Sequence, residues 1–402
     1  MSSEKIAIVG AGPAGLSAAL ELKSLGYNNV VVYERESEAG GAPRHCGHTG
    51  FGIYEFKRLL SGPDYAKKLV SQAQEAGIEI KLNHELTKIE DNSLTFSTPN
   101  GELSDNFECM LLALGARETP RSDRLISGIR SPNIITTGAF QRFSYLQNIK
   151  PFKKAVVVGS EIVSFSALMT ARHMGVEIVA MIEEKEDIDT YSPIKNIVST
   201  ILKVPVYTSA TLDNIYGEKK YVKGVTIVQN GEKKDIECDG VIFSGMFTPE
   251  SAILQQSLSD FNYTNSSLNM TQNAQTSTEN IFIAGNVARG ALSAYKCYFE
   301  GKDAAKSIDR YLKSKKEANI VPINVDESIN WYYPTLIDLN SPIKKLTSLR
   351  VKTRAYGTFV VLLNGRSVYQ TDTTALPFKT IDIPWQDIEL QDGDKIDIKF
   401  VK

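Results

Sequence analysis

Two short stretches combine residue types and spacings that can do chemistry. The first is GAGPAG, residues 10–15. G-x-G-x-x-G spacing suits a turn that cradles a pyrophosphate. Gly10 permits the tight bend, Gly12 lets the backbone approach the phosphates, and Gly15 lets the next helix pack close to the strand. Pro13 and Ala14 open that helix, whose unpaired N–H groups attract anions. Glu34 follows 24 residues after Gly10, where an acid accepts hydrogen bonds from an adenosine ribose. The second stretch is RHCGH (44–48), which places Arg44, Cys46 and His48 within five residues. An imidazole moves protons near neutral pH, and a guanidinium stabilises developing negative charge. A thiol is a nucleophile only as its thiolate.

The elements that must position the first stretch are readable around it. KIAIVG (5–10) is an almost continuous apolar run, as a parallel strand buried on both faces requires. SAALELKSL (17–25) has helical spacing with Gly26 as its stop, and NVVVYERE (29–36) is a β-branched strand ending in acid. Together they make a β–turn–α–β unit. A second unit follows at 155–183, with a helix ending before Gly175. Its turn reads GSEIVS: Gly159 remains, while Glu161 and Ser164 stand where the second and third glycines belong. A carboxylate at 161 repels a pyrophosphate. Two readings stay open, a purely structural repeat and a retained nucleotide site. In the second case Glu183 and Glu184 favour NAD(H) over its 2′-phosphate form.

Composition excludes several classes. The chain has 402 residues, enough for two to three domains, with 45 basic and 47 acidic residues. No basic excess points to nucleic acid. No apolar run approaches the roughly 20 residues of a membrane span, and MSSEKIAIVGAG reads as the start of a strand rather than a signal peptide. Cys46, Cys109, Cys238 and Cys297 are widely spaced with no CxxC pair. That pattern predicts no metal centre and reduced thiols in a cytoplasm. His84 and His173 read as structural, and Cys109, Cys238 and Cys297 as inert core thiols.

Four motifs carry a family resemblance: GAGPAG with Glu34, LLALGARETP (111–120), GVIFSGMFTPES (240–251) and TSTENIFIAGNVARG (276–290). In this order they resemble the pyridine nucleotide–disulfide oxidoreductase superfamily, flavoproteins with two dinucleotide-binding domains. The resemblance covers about residues 3–315. It implies FAD as cofactor, held by Gly10, Gly12, Pro13, Ala14, Gly15, Glu34, Arg35, Gly40, Gly41, Leu86, Ala113, Gly115, Gly285 and Asn286. Asn286 stands where Asp commonly meets the flavin's ribityl chain, and it keeps an acceptor oxygen. GGAPRHCGHTGFGIYEFKRLLSGPDYAKKL (40–69) and TTGAFQ (136–141) narrow the resemblance. They are similar to FAD subunits of hydrogen cyanide synthase and of opine, amino-acid and amine dehydrogenases. Such a chain is one member of a hetero-oligomer, handing electrons between a companion dehydrogenase subunit and another carrier.

The disulfide reductases of the superfamily carry G-G-T-C-x-x-x-G-C in this region. Here Pro43 and His48 take the places of the two redox cysteines, so chemistry that needs that dithiol is excluded. The resemblance places His48 near the flavin as a proton shuttle and Arg44 as a charge partner of the reduced ring, with Cys46 a single thiol. Two other readings remain open: a free-standing NAD(P)H-dependent reductase, and a non-enzymatic FAD scaffold.

The expected architecture is α/β. A discontinuous FAD domain (1–118 and 276–318) encloses an NAD(P)-binding-like domain (119–275), and a small antiparallel β domain (322–402) follows. Alternating runs such as GTFVVLLNG and the Asn364-Gly365 hairpin signal carry the last assignment. Trp331, Tyr332, Tyr333 and Trp385 there are either core or contacts for a partner.

Overall fold

A computed structural model describes residues 4–90, 92–188, 204–314, 318–341, 347–375, 380–384 and 388–401. The chain forms two compact units. One contains the residues up to Gly41, Ala66–Ala116 and Pro249 onward; the other contains Ala42–Tyr65 and Arg117–Thr248. Relative to the expected ranges, residues 42–65 and 117–118 lie with the second unit, and residues 249–275 and the tail with the first.

The first unit is built on a five-stranded sheet in the order Ile281–Ile283, Cys109–Leu112, Ile6–Val9, Val30–Tyr33, Glu79–Lys81. All neighbours are parallel. Ile6–Val9, Val30–Tyr33 and Cys109–Leu112 are buried along their whole length, which is why these segments are apolar without alternation. The helix Pro13–Ser24 starts with proline in its first turn, where the missing N–H costs nothing. It packs on the long helix Ala294–Ser314 so closely that a Cβ on Gly301 would overlap the Ala14 carbonyl. Ser17 Oγ donates to Tyr298 O across the same contact at 2.7 Å. An antiparallel sheet of Glu85–Glu90, Ser93–Thr98 and Gly101–Asn106 lies beside this core, with Tyr33 stacked on Phe96 at 4.2 Å.

The tail folds as β structure, as its alternation requires. Ala355–Leu363 and Arg366–Ala375 form the expected hairpin, with Asn364 and Gly365 both left-handed (φ 51° and 80°). The tail's five-stranded sheet is mixed, because Ile320–Val325 pairs parallel to Ile396–Val401. It has its own core around Ile323, Phe359 and Ile398. Trp331 and Tyr333 instead join the core that includes Met110, Leu254 and Ile281. Trp331, Tyr332 and Tyr333 are 7%, 6% and 9% exposed, which rules them out as contacts for a partner and assigns them to packing. Trp385 lies outside the described residues. Arg289 lies over the Tyr333 ring at 3.7 Å and pairs with Glu300 at 3.1 Å, tying the tail to the rest of its unit.

The second unit repeats the theme. Its parallel sheet runs Ile134–Thr136, Gly240–Phe243, Lys154–Val158, Glu177–Ile182, Val206–Tyr207. The helix Ile162–Met174 ends on Gly175 in the left-handed conformation (φ 63°), the stop expected from sequence. Among the described residues no helix is long and apolar enough to cross a membrane.

Candidate functional site

The first glycine turn separates into glycines the fold requires and one it does not. Gly10 adopts φ +106°, donates its N–H to Tyr33 O at 2.7 Å, and has no room for a Cβ against the Ala113 carbonyl. A Cβ on Gly15 would overlap the Gly10 carbonyl. Both positions are therefore fixed by the chain's own packing. Gly12 has φ −86° and ψ −172°, extended backbone that any residue adopts. A Cβ there would meet nothing nearer than Gly41 Cα at 3.9 Å. The chain's own packing gives no reason for glycine at 12.

Other expected residues converge on this turn. Glu34, 8% exposed, accepts the Ala11 N–H on Oε2 at 2.9 Å and the Glu36 N–H on Oε1 at 3.0 Å. It thus clamps the turn. Gly40 donates its N–H to Ala11 O at 2.8 Å, and a Cβ on Gly41 would come within 2.8 Å of Gly12 Cα. Ala113 donates to Val9 O at 2.8 Å. Gly115 accepts from the Glu250 N–H at 3.0 Å, and the Glu250 carboxylate meets Arg35 Nη2 at 3.3 Å. Glu250 was not legible as a member of this group, since its link to Arg35 spans 215 residues. Gly285 places its Cα against Ala14, where an added Cβ would lie 3.0 Å from the Ala14 Cβ. His84 donates its N–H to Glu34 O at 2.9 Å, and Leu86, two residues on, packs on the core around Tyr33 and Phe96.

Asn286 has its own partners within the chain. Its Oδ1 accepts the Leu292 N–H at 2.8 Å and the Cys297 thiol at 3.2 Å. The acceptor oxygen is engaged within the protein, and the amide Nδ2 is a donor. Burial pushes the Cys297 thiol up to about 12, so it stays a donor.

Arg44, Cys46 and His48 belong to the other unit. Their stretch is laced to Gly62, whose N–H reaches Cys46 O at 3.1 Å and His48 O at 3.3 Å. A Cβ on Gly47 would overlap the Tyr145 ring. Tyr145 in turn stacks on His173 at 5.0 Å, the structural role expected of that histidine. Cys46 Sγ lies 3.7 Å from Gln141 Oε1. Burial, with a smaller contribution from Glu118, pushes its thiol up to about 12. Cys46 is therefore a neutral thiol at physiological pH. His48 Nδ1 sits 2.9 Å from the Thr49 carbonyl. A carbonyl only accepts, so Nδ1 carries a proton in this contact and leaves Nε2 for other partners. All four cysteines are free. Among the described residues no group of three or more His, Cys, Asp or Glu side chains is placed to hold a metal ion.

The first cradle fits the ADP half of FAD. It combines an open flank at Gly12, a helix N-terminus with no acid in its first turn, and a buried acid at the end of the second strand. Comparison with known proteins agrees with this geometry. Residues 4–301 match the family model described as pyridine nucleotide-disulphide oxidoreductase. The chain is 27% identical over 316 residues to the NAD-dependent dihydropyrimidine dehydrogenase subunit PreT homolog of Salmonella typhi, covering 77% of this chain and 68% of that one. It is 24% identical over 347 residues to the glutamate synthase [NADPH] small chain of Mycobacterium tuberculosis, covering 78% and 67%. In structure it is similar to the thioredoxin reductase of T. acidophilum, with TM-score 0.64 and 21% identity over 78% of this chain and 99% of that one. The turn, the acid, the paired parallel sheets and the match over three quarters of the sequence lead to one assignment: the chain belongs to the pyridine nucleotide–disulphide oxidoreductase family and is an FAD-dependent oxidoreductase.

Proposed function

We propose that this chain binds FAD in its first unit and passes electrons as one subunit of a multi-subunit dehydrogenase, without a redox-active disulfide. The observation that carries the reading is the contrast at the glycine turn. Gly10 and Gly15 are required by packing, whereas Gly12 is required only by something that approaches from outside. The names of the relatives, a dehydrogenase subunit and a small chain, support a companion subunit. The proposed substrate is an amino acid, an amine or a hydroxy compound oxidised by the assembled complex.

FAD, when bound, supplies a carrier for two electrons. This chain's residues do the rest. Gly10, Gly12, Pro13, Ala14 and Gly15 receive the pyrophosphate at the helix N-terminus. Glu34 accepts from the ribose, and Arg35, Gly40, Gly41, Leu86, Ala113 and Gly115 line the adenosine portion. Gly285 gives close backbone approach, and Asn286 donates through Nδ2. His48 Nε2 is the atom proposed to take and return a proton, with Arg44 as the charge partner. Cys46, being protonated, takes no nucleophilic part.

The test is an anaerobic titration of the purified chain, followed at the flavin band near ~450 nm. NADH, NADPH, amino acids and glycerol 3-phosphate are added in turn. Slow bleaching by NADH or NADPH alone, accelerated by the companion subunit with its substrate, is the expected result. Full reduction within seconds by NADH or NADPH alone would overturn the subunit reading in favour of a free-standing reductase.

A further inference from the structure

The second glycine turn copies the first in its backbone. Gly159 has φ +108°, donates to Ile182 O at 2.8 Å, and faces the Ser244 carbonyl, which a Cβ would approach to 2.6 Å. Glu183, 6% exposed, accepts the Lys185 N–H at 3.0 Å and the Ser160 hydroxyl, as Glu34 clamps its own turn. The two cradles part at the anion position. In the first, the flank of the middle glycine is open. In the second, the residue there is Glu161, the N-cap of the helix Ile162–Met174.

The Glu161 carboxylate does not swing out to solvent. Its Oε1 accepts the Met246 N–H at 2.8 Å, and a Cβ on Gly245 would lie 2.5 Å from its Cδ. The preceding N–H, that of Gly245, is directed at Glu118 Oε1 at 3.3 Å. Gly245 and Met246 are both left-handed, at φ 72° and 53°. Two successive amides in such a turn form a concavity suited to an anion. Arg124 adds a cation there, donating to Gly245 O at 2.9 Å and to Ser244 O at 3.2 Å. Ser164 fills the third glycine position and donates to Ser244 Oγ at 2.9 Å, closing the helix against the same turn. The second cradle thus has the parts of a phosphate site, and two of the chain's own carboxylates occupy them.

We propose that Glu161 is a built-in anion that stands in the phosphate position of the second cradle and closes it to the pyrophosphate of a nicotinamide dinucleotide. This rests on, and deepens, the reading of the chain as an electron-transferring subunit, because it removes direct reduction by NAD(P)H as the default entry of electrons. It also assigns specificity to a single side chain. The fold around it is intact, so removal of the carboxylate leaves a G-x-G turn, the freed Met246 amide and Arg124 beside it, while the Gly245 amide stays with Glu118.

The test is NADH binding to the purified full-length chain by calorimetry, with wild type, Glu161→Gly and Glu161→Gln compared. Glu161→Gln keeps an oxygen for the Met246 N–H and loses only the charge, so it guards against a variant that fails to fold. The wild type is expected to bind NADH with a Kd of about 1 mM or weaker. Glu161→Gly is expected to bind at least about thirtyfold tighter, and Glu161→Gln to fall between, from loss of charge repulsion alone. Micromolar binding by the wild type would overturn the proposal. So would unchanged affinity in both variants when their thermal unfolding matches wild type. Flavin content is read on the same samples. A chain without flavin would sink the electron-transfer reading, while the three NADH affinities would still decide the role of Glu161.

Discussion

Gly12→Ala separates what the fold needs from what a ligand needs. The backbone at 12 is extended, and the nearest atom to an added Cβ, Gly41 Cα, is 3.9 Å away. In the ligand-free protein the added methyl group therefore meets no clash. Loss of glycine's freedom in the unfolded chain stabilises the protein by about 0.4–1 kcal/mol. With FAD the balance reverses. The methyl group enters the flank where the pyrophosphate approaches the backbone, and overpacking of this kind costs about 1–3 kcal/mol. FAD affinity then falls about 5- to 150-fold. Urea unfolding of the apoprotein by circular dichroism gives the first quantity, and quenching of FAD fluorescence on titration gives the second. Gly15→Ala is the contrast: its Cβ overlaps the Gly10 carbonyl, so stability and binding fall together. Wild-type FAD affinity in a stable Gly12→Ala protein would refute the assignment of this turn.

Glu34→Ala leaves the Ala11 and Glu36 amides without their acceptor. With hydrogen bonds to a charged group worth about 1.5–3 kcal/mol each and partial rehydration, a loss of about 2–4 kcal/mol is expected in urea unfolding. Glu34→Gln, which keeps one acceptor oxygen, is expected to lose about half as much. The Cys46 thiol, pushed up to about 12 by burial, should resist iodoacetamide at pH 8 far better than free cysteine, and faster alkylation than free cysteine would contradict its burial. The same shift gives a pH dependence with a definite sign. Cys46, Cys238 and Cys297 all titrate higher in the folded chain, at about 12, than the ordinary thiol value of 9.0. Their contribution is complete below pH 9 and is lost as pH rises from there towards 12. The urea midpoint of an Ala-substituted triple variant should therefore fall less steeply over that range than that of wild type.

Much of the fold was legible because its signals are local. The strand Ile6–Val9, the turn and the helix Pro13–Ser24 follow one another within 20 residues, so apolar continuity and glycine spacing define them without tertiary information. The Asn364-Gly365 hairpin is local in the same sense. Features set by distant partners were not legible. The parallel pairing of Ile320–Val325 with Ile396–Val401 depends on a return of the chain more than 70 residues later. The burial of Trp331 and Tyr333 depends on Met110 and Ile281, which no periodicity in the tail reports. Sequence marked Glu161 as repulsive to a phosphate, but its own partner, the Met246 amide, lies 85 residues on. Likewise Asn286 read as an acceptor until Leu292 and Cys297 were seen to engage its oxygen.

An FAD-dependent electron carrier without a redox disulfide has Pro43 and His48 where the dithiol would stand, and all four cysteines of this chain are free. Anaerobic titration of the FAD-loaded chain with dithionite counts the electrons it takes up. A flavin without a disulfide partner bleaches fully after two electrons per FAD and takes up no more. Consumption of four electrons per FAD, as a flavin with a disulfide partner requires, or the absence of any flavin after reconstitution, would contradict it.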